Sequence, residues 1–543
     1  MLDFPIIPLG YIPGGKYVYF DPKLQILLYL TAAQHKETEL RAIAKEHEWK
    51  RAILARGAVG KHLLIQRGTE TSIDWPALAE ELTAECRSKG VFDVGLARGR
   101  GLWQHSSGAL VFNTGANLQV TWPDGRIDTK PLIGIEATDA DPSRYVRSSP
   151  PANPPAAVEA TAEECKAALA ALSLFSFSRG EYDAKLFLGW LSCSTILNLL
   201  SFRPQVALSA ARGAGKSTVI RMLVQMLGSS NCLHVEADIS SEAGIRQTLG
   251  NDALPLLADE FETTSPGAKA ILDFCRIASN PSAGGVLKGS PEGKAMRFDI
   301  RTSAVVAGIA ITMPNPADSS RFARIELEKR SHSGEERRTL AEAFAQFDSS
   351  FGARLCRRMI KRRSQFLQTL AVLQEALREI GMDTRQTDLY GHLLAGYWTA
   401  CHDASISDEE AIELVHLLRE QEEEPERGCL DHLLGHQIYQ DEIGSITVVE
   451  LLEQVRTKRG DHINTKDLAL IGIKYDAQHD AVLIANSNPG LGRIFASTPW
   501  RDGQHAKTLK RMGGDGNGNR SERFGPYPPC KVTRLAASQI FGE

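Results

Sequence analysis

Short apolar runs separated by turn-forming residues fill the first part of the chain. Lys16–Phe20 and Ala109–Phe112 read as strands with turn signals on either side, and Trp75–Lys89 reads as a helix with Asp74 placed to cap it. Pro150, Pro151, Pro154 and Pro155 then forbid a helix or a central strand across 148–155. From Thr161 the pattern turns helical. The most apolar stretch, Leu186–Leu200, carries Ser192, Cys193, Ser194, Thr195 and Asn198 and is shorter than the ~20 residues of a membrane span, so it predicts a buried helix. Val206–Ser209 is a short apolar strand, Val219–Leu227 a helix, and 334–437 is helical almost throughout. The last hundred or so residues return to short apolar runs among glycines and turns.

These shifts predict five parts: a mixed α/β accessory domain over 1–136, a Pro/Ala-rich linker over 137–160, and an α/β core over 161–333. A helical region over 334–437 and a basic C-terminal α+β domain over 438–543, for which a winged helix is one form, complete the chain. A length of 543 residues suits several cores, since domains cluster near ~100–150 residues. Hydrophobic residues at 43% and charged residues at 24% are ordinary for a globular protein. With 62 basic against 66 acidic residues the net charge is −4, so any nucleic-acid surface must be a local patch. The 9 cysteines include no CxxC pair, which argues against a zinc ribbon and for free thiols in a reducing cytoplasm. The start, Met1-Leu2-Asp3-Phe4-Pro5, lacks the features of a signal peptide, and no membrane role is expected.

The chemistry concentrates after the Val206–Ser209 strand. Ala210-Ala211-Arg212-Gly213-Ala214-Gly215-Lys216-Ser217-Thr218 follows it and leads into a helix, the context a Walker A phosphate loop requires. Glycines at 213 and 215 let successive N–H groups turn toward phosphate oxygens, and the helix N-terminus adds partial positive charge. Lys216 is expected to reach the β- and γ-phosphates of ATP, and the Ser217 hydroxyl to ligate Mg2+. The first position, normally glycine, is Ala210, which is tolerable where its backbone angles are ordinary. Ala253–Glu260 is an apolar run ending in two acids, the Walker B pattern. Asp259 would hold magnesium and Glu260 would activate the attacking water. Pro255 fits only near the start of such a strand. No metal beyond the nucleotide's magnesium is signalled.

Downstream, Gly267–Ala278 reads as a helix and Val286–Phe298 as a β-hairpin turning at Ser290–Gly293, with Lys288, Lys294 and Arg297 on its sides. A strand over Ser303–Ala310 and a segment from Asn315 to Ile325, with Arg321 and Arg324 placed before a further strand, come next. This order resembles the superfamily-3-type helicases and their AAA+ relatives, and so predicts a P-loop, AAA+-like parallel-sheet core. The resemblance implies a ring oligomer, a hexamer in that family, whose basic hairpin tracks one DNA strand. It makes Lys288, Lys294 and Arg297 the DNA-binding cations, Asn315 a sensor, and Arg321 or Arg324 the arginine finger. The strand ending at Gly308-Ile309-Ala310 departs from the family, which places a polar residue there.

Pro8–Tyr11, Arg98–Trp103, Glu242–Gln247 and Ile494–Trp500, in that order, look like the helicase part of phage- and prophage-type primase–helicases. That likeness implies an ATP-driven DNA helicase or translocase of a mobile-element replication system. Any primase or loader would be a separate chain, because no primase signature is present. An AAA+ protein-remodelling or defence ATPase is the first alternative, disfavoured because the hairpin presents lysines rather than an aromatic grip. A non-catalytic, nucleotide-switched origin- or partner-binding module is the second, disfavoured by Glu260.

Blander readings are favoured elsewhere. Arg98, Arg100 and Trp103 read as a basic loop with a core tryptophan, His234 as a packed side chain, and Cys275 as core. The run Arg354, Arg357, Arg358, Lys361, Arg362 and Arg363 reads as a solvated helix face ahead of a phosphate grip. Arg493, Arg501, Lys507, Lys510, Arg511, Arg520 and Arg523 leave the C-terminal segment locally basic.

Overall fold

A computed structural model describes residues 4–541 apart from 68, 136, 139, 238–239, 262–266, 281–285, 290–294, 310, 312–319, 330–333, 420–424, 441–443, 458–464, 497, 499, 502 and 512–520. Among the described residues the chain forms two compact units, one of Met1–Ile311 with Ser320–Glu413 and one of Leu414–Glu543. Among the described residues no helix is long and apolar enough to cross a membrane.

The first unit begins with an antiparallel sheet of β1 (Ile7–Ile12), β2 (Lys16–Asp21) and β3 (Ile26–Thr31). Helix α1 (Trp75–Ser88) packs on β1, its N-terminus capped by the Asp74 carboxylate, which accepts from the Ala77 N–H at 3.1 Å. A four-stranded antiparallel meander follows: β4 (Gly101–Gln104), β5 (Leu110–Asn113), β6 (Asn117–Thr121) and β7 (Ile127–Pro131). The proline-rich stretch makes no regular element, yet it is tied down on both sides. Ala152 donates to the Thr114 carbonyl at 2.7 Å and Ala156 to the Ala353 carbonyl at 3.0 Å.

The apolar run near 186–200 becomes α2 (Glu181–Ser194), buried almost throughout. It leads to β8 (Gln205–Ala210), α3 (Lys216–Leu227), β9 (Leu233–Glu236), β10 (Leu256–Asp259), α4 (Ala268–Ala278), a hairpin of β11 (Val286–Gly289) and β12 (Ala295–Phe298), β13 (Ala304–Gly308) and β14 (Phe322–Leu327). The central sheet is parallel in the order β9-β10-β13-β8-β14. β8, β10 and β13 are apolar and buried on both faces, the pattern of a covered parallel sheet. The edge beyond β14 is closed by residues 176–178: Ser178 donates to the Glu326 carbonyl at 2.9 Å, and Glu328 to that of Ser176 at 2.8 Å.

Helices α5 (Ser349–Lys361), α6 (Arg363–Glu379) and α7 (Thr384–Cys401) complete this unit. α2 and α7 approach closely enough that a Cβ on Gly189 would lie 1.9 Å from the Leu393 carbonyl oxygen. At Arg357 and Arg358, each 1% exposed, the basic run on α5 is neither a solvated face nor free for phosphate, whereas Lys361 on the same helix is half exposed. Arg357 donates to the Ala156 carbonyl, Thr121 Oγ1 and Gln119 Oε1 at 2.6–2.9 Å. Arg358 donates to the carbonyls of Thr399, Ala160 and His402, and pairs with Asp403 at 2.8 Å. Helical spacing shows which residues share a face, but here the face is covered by chain from 119–160 and by the end of α7.

In the second unit, helix α8 (Gln504–Arg511) packs on an antiparallel sheet built from β15 (Ile473–Asp476), β16 (Ala481–Ala485), β17 (Ser521–Glu522) and β18 (Cys530–Ala536) in the order β15-β16-β18-β17. Its core includes Leu451, Leu483, Phe495, Leu509 and Leu535. All nine cysteines of the chain are free thiols, and burial pushes Cys165, Cys232, Cys356 and Cys401 up to about 12.

Candidate active site

Parallel strands deliver their C-terminal ends to one edge of the sheet, and the residues picked out by sequence arrive there together. β8 ends at Ala210, β10 at Asp259, and β13 between them at Gly308. The connection leaving β8 crosses toward β9, whereas that leaving β13 crosses back over β8 to β14. A sheet forms its ligand crevice where neighbouring connections diverge in this way.

Ala210 lies in the strand itself, paired with Leu327, so its backbone is ordinary and the missing glycine imposes no strain. The positive angles fall on Gly213 (φ 79°) and Gly215 (φ 102°), where any other residue would be strained. Among the described residues no atom lies within 4 Å of where a Gly213 Cβ would sit, and only a Leu327 methyl, at 3.9 Å, approaches that of Gly215. The loop therefore has open space beside both glycines. Ala214 donates to the Ala211 carbonyl at 3.1 Å, while the N–H groups of Arg212, Gly213, Gly215, Lys216 and Ser217 find no partner among the described residues. Orphan donors at a helix N-terminus are a ready anion site.

Lys216 reaches across from the first turn of α3, its ammonium 3.4 Å from Asp259 Oδ1. Two residues far apart in sequence thus meet above the intervening strand. Asp259 also accepts from the Glu260 N–H at 2.8 Å. Glu260 itself is exposed and holds φ at 54°, a left-handed conformation that a glutamate adopts only under constraint. The constraint is visible: Phe261, 1% exposed, donates its N–H to the Ala307 carbonyl at 2.8 Å and hooks the chain back onto β13. The same hook explains the glycine that ends β13. A Cβ on Gly308 would lie 1.9 Å from the Phe261 carbonyl oxygen, so no polar side chain can stand there.

Arg324 is placed differently from expectation. It lies inside β14, opposite Ala207, and is exposed, while Arg321 immediately precedes the strand. Leu327 pairs with Ala210 beside the phosphate loop, so Arg321, six positions earlier, sits about 20 Å along the strand from it. Neither arginine's strand position is at its own chain's loop. Lys294, Asn315 and the hairpin turn Ser290–Gly293 lie outside the described residues. Lys288 pairs with Met296 and Leu287 with Arg297 across the hairpin, so positions 288 and 297 fall on opposite faces of it.

The other sequence candidates resolve into structural roles. Arg100 is buried and pairs with Asp252 at 2.7 Å; Arg98 pairs with Asp141 at 3.3 Å; Trp103 is core at 6% exposure. Cys275 is fully buried. Arg246 and Arg276, for which the sequence leaves a nucleotide-sensing role and a structural salt bridge equally open, pair with Glu242 and Asp273 on their own helices. His234 is exposed on edge strand β9, contrary to the packed role expected, and lines a groove of about 560 Å³ with Arg221, Gln225 and Phe344 behind α3. That groove lies on residues other than those of the phosphate loop.

No protein-family model matches the chain, and no curated protein does. Among solved structures the chain is similar to one described as "SCCmec type IV Cch - active helicase", at 11% identity and a TM-score of 0.48 over 99% of this chain and 95% of that one. So distant a likeness transfers no residue role.

Proposed function

We propose that this chain is an ATP-dependent DNA helicase or translocase. The observation that carries its ATPase activity is the meeting of Lys216 with Asp259 beside a glycine loop whose N–H groups are left without partners among the described residues at the start of α3. Those residues suit a magnesium–nucleoside triphosphate. The loop N–H groups and Lys216 would hold phosphate oxygens, and Ser217 and Asp259 would hold the metal, Asp259 through water. Bound there, the Mg2+ supplies charge neutralisation for phosphoryl transfer to water. Glu260 is the group that accepts the water's proton, from an exposed position one residue beyond Asp259.

The DNA reading rests on the hairpin cations Lys288, Lys294 and Arg297 and on the order of elements around them. The placement of Arg321 and Arg324 away from their own phosphate loop supports action on a neighbouring copy, hence a ring, with a hexamer as the form expected. Exposed Arg493, Lys507, Lys510 and Arg523 on the second unit offer further phosphate contacts. Binding through such contacts falls steeply with salt. A mobile-element setting, a sensor role for Asn315 and a separate primase or loader belong to the same proposal.

Steady-state ATP hydrolysis with and without single-stranded DNA tests it. Lys216→Ala should remove turnover by at least about 100-fold. Lys288→Ala with Lys294→Ala should keep basal turnover and lose the DNA stimulation. Hydrolysis indifferent to DNA in the wild type would remove the helicase reading and favour protein remodelling. No hydrolysis in any oligomeric state would favour the nucleotide switch.

A further inference from the structure

The hairpin does not stand alone on the core. β12 ends at Phe298, and the five residues that join it to β13, 299–303, are gripped from two directions. Arg301 Nη2 donates to the Gly95 carbonyl at 3.1 Å and pairs with Asp299 Oδ2 at 3.0 Å. Its guanidinium carbon lies 5.1 Å from the centre of the Trp103 ring, and that of Arg98 lies 5.8 Å from the same ring. The indole is thus flanked by two cations, each matched to its own carboxylate. Its N–H donates to the Gly99 carbonyl at 2.9 Å, which fixes the ring plane. Contact is close as well: a Cβ on Gly95 would lie 2.6 Å from Asp299 Oδ2.

From the other direction comes Arg203, just ahead of β8 and 5% exposed. It donates to the Ile300 carbonyl at 3.3 Å and to the Ala278 carbonyl, at the end of α4, at 3.1 Å. Its Nη2 also donates to Asn198 Oδ1 at 3.4 Å, and Asn198 donates in turn to the Leu102 carbonyl at 3.1 Å. Burial, with the charge of Arg301 nearby, brings Arg203 down to about 10, so it stays charged at neutral pH.

The same N-terminal strand region also holds the lead into β10. Gly99 donates to the Asn251 carbonyl at 2.9 Å, Ala253 donates to the Arg100 carbonyl at 2.8 Å, and Arg100 pairs with Asp252. Residues 95–103 therefore touch both the approach to the strand that carries Asp259 and the base of the hairpin.

We infer that Trp103 and Arg301 are positioning residues, and that the N-terminal part of the chain is the anchor through which the hairpin's position is coupled to the nucleotide site. The inference deepens the translocase reading and rests on it for its consequence, though not for its geometry. Residues 95–103 hold the hairpin base through Arg301 and Asp299 and lie apart in sequence from the phosphate loop. Loosening the clasp should leave hydrolysis intact and disconnect it from DNA.

Three proteins decide it: wild type, Arg301→Met and Arg301→Lys, each full-length. Hydrogen exchange should rise by tenfold or more at 299–303 in Arg301→Met, with thermal midpoint and basal ATP hydrolysis within twofold and a few degrees of wild type. Stimulation by a single-stranded oligonucleotide should fall at least fivefold, and Arg301→Lys, which keeps the charge over Trp103 without the planar fork, should recover part of it. Unchanged exchange at 299–303, or equal loss of basal and stimulated turnover, would overturn the inference. A wild type that DNA does not stimulate would remove the translocase reading, and the exchange result would then decide the anchor by itself.

Discussion

Glu260 shows stability and chemistry opposed at a single residue. Its left-handed backbone costs about 1 kcal/mol or more relative to glycine, and the chain accepts it because Phe261 must return to β13. Glu260→Gly should therefore raise stability by a few tenths to about 1 kcal/mol, after allowing for glycine's greater freedom in the unfolded chain, while turnover falls at least about 100-fold. Glu260→Gln should lose the same turnover with no gain in stability. Paired thermal melts and hydrolysis assays check both, and a stabilised, active Glu260→Gly would rule out the assigned base. The phosphate loop was legible in sequence because its requirement is a backbone requirement, and glycine at 213 and 215 writes it into the residue types. Gly308 was not: its reason is the Phe261 carbonyl, which only the hook after β10 brings near.

At the scale of elements, strands and helices followed their periodicities closely. Trp75–Lys89, Val206–Ser209 and Gly267–Ala278 were each placed within a residue or two of where α1, β8 and α4 lie. Which face an element buries was harder. The α5 arginines look like a charged surface because arginine seldom lies inside, yet carbonyl oxygens from two segments, 156–160 and 399–402, receive them. Arg358→Ala should accordingly cost about 3–5 kcal/mol, since it strands those acceptors, and Arg358→Lys should recover little of it. Lys361→Ala on the same helix, its ammonium 3.6 Å from Glu159 and half exposed, should stay within about 0.5 kcal/mol. Urea midpoints for the three variants make the comparison, and an Arg358→Ala cost below about 1 kcal/mol would contradict the bracing role.

For the molecule as a whole, acid sensitivity should trace to the helix layer. His392 on α7 is fully buried, its Nδ1 2.7 Å from the Asp388 carbonyl and its Nε2 3.1 Å from Ser201 Oγ. Burial brings the imidazole from its ordinary 6.5 down to about 4. The folded value lies below the unfolded one, so as pH falls the unfolded chain takes up the proton first. The stability carried by the neutral ring is present above pH 6.5 and is lost toward pH 4, by roughly 3 kcal/mol over the full window. Burial raises Asp388, which works in the opposite sense, so the test is a comparison. Melting midpoints between pH 7 and 4.5 should fall more steeply for wild type than for His392→Gln, and equal slopes would refute the assignment.

What the sequence determined by itself was local: the glycine loop before a helix, the apolar run closed by two acids, the antiparallel hairpin, and the order in which these follow one another. Each is specified by backbone freedom or by side-chain period within a dozen neighbouring residues. The tertiary structure alone decided that Lys216 meets Asp259, that β13 lies between their strands, and that Trp103 and Arg301 clasp the hairpin base. Those relations join residues tens to hundreds of positions apart. They depend on strand order and on burial, which no local pattern encodes.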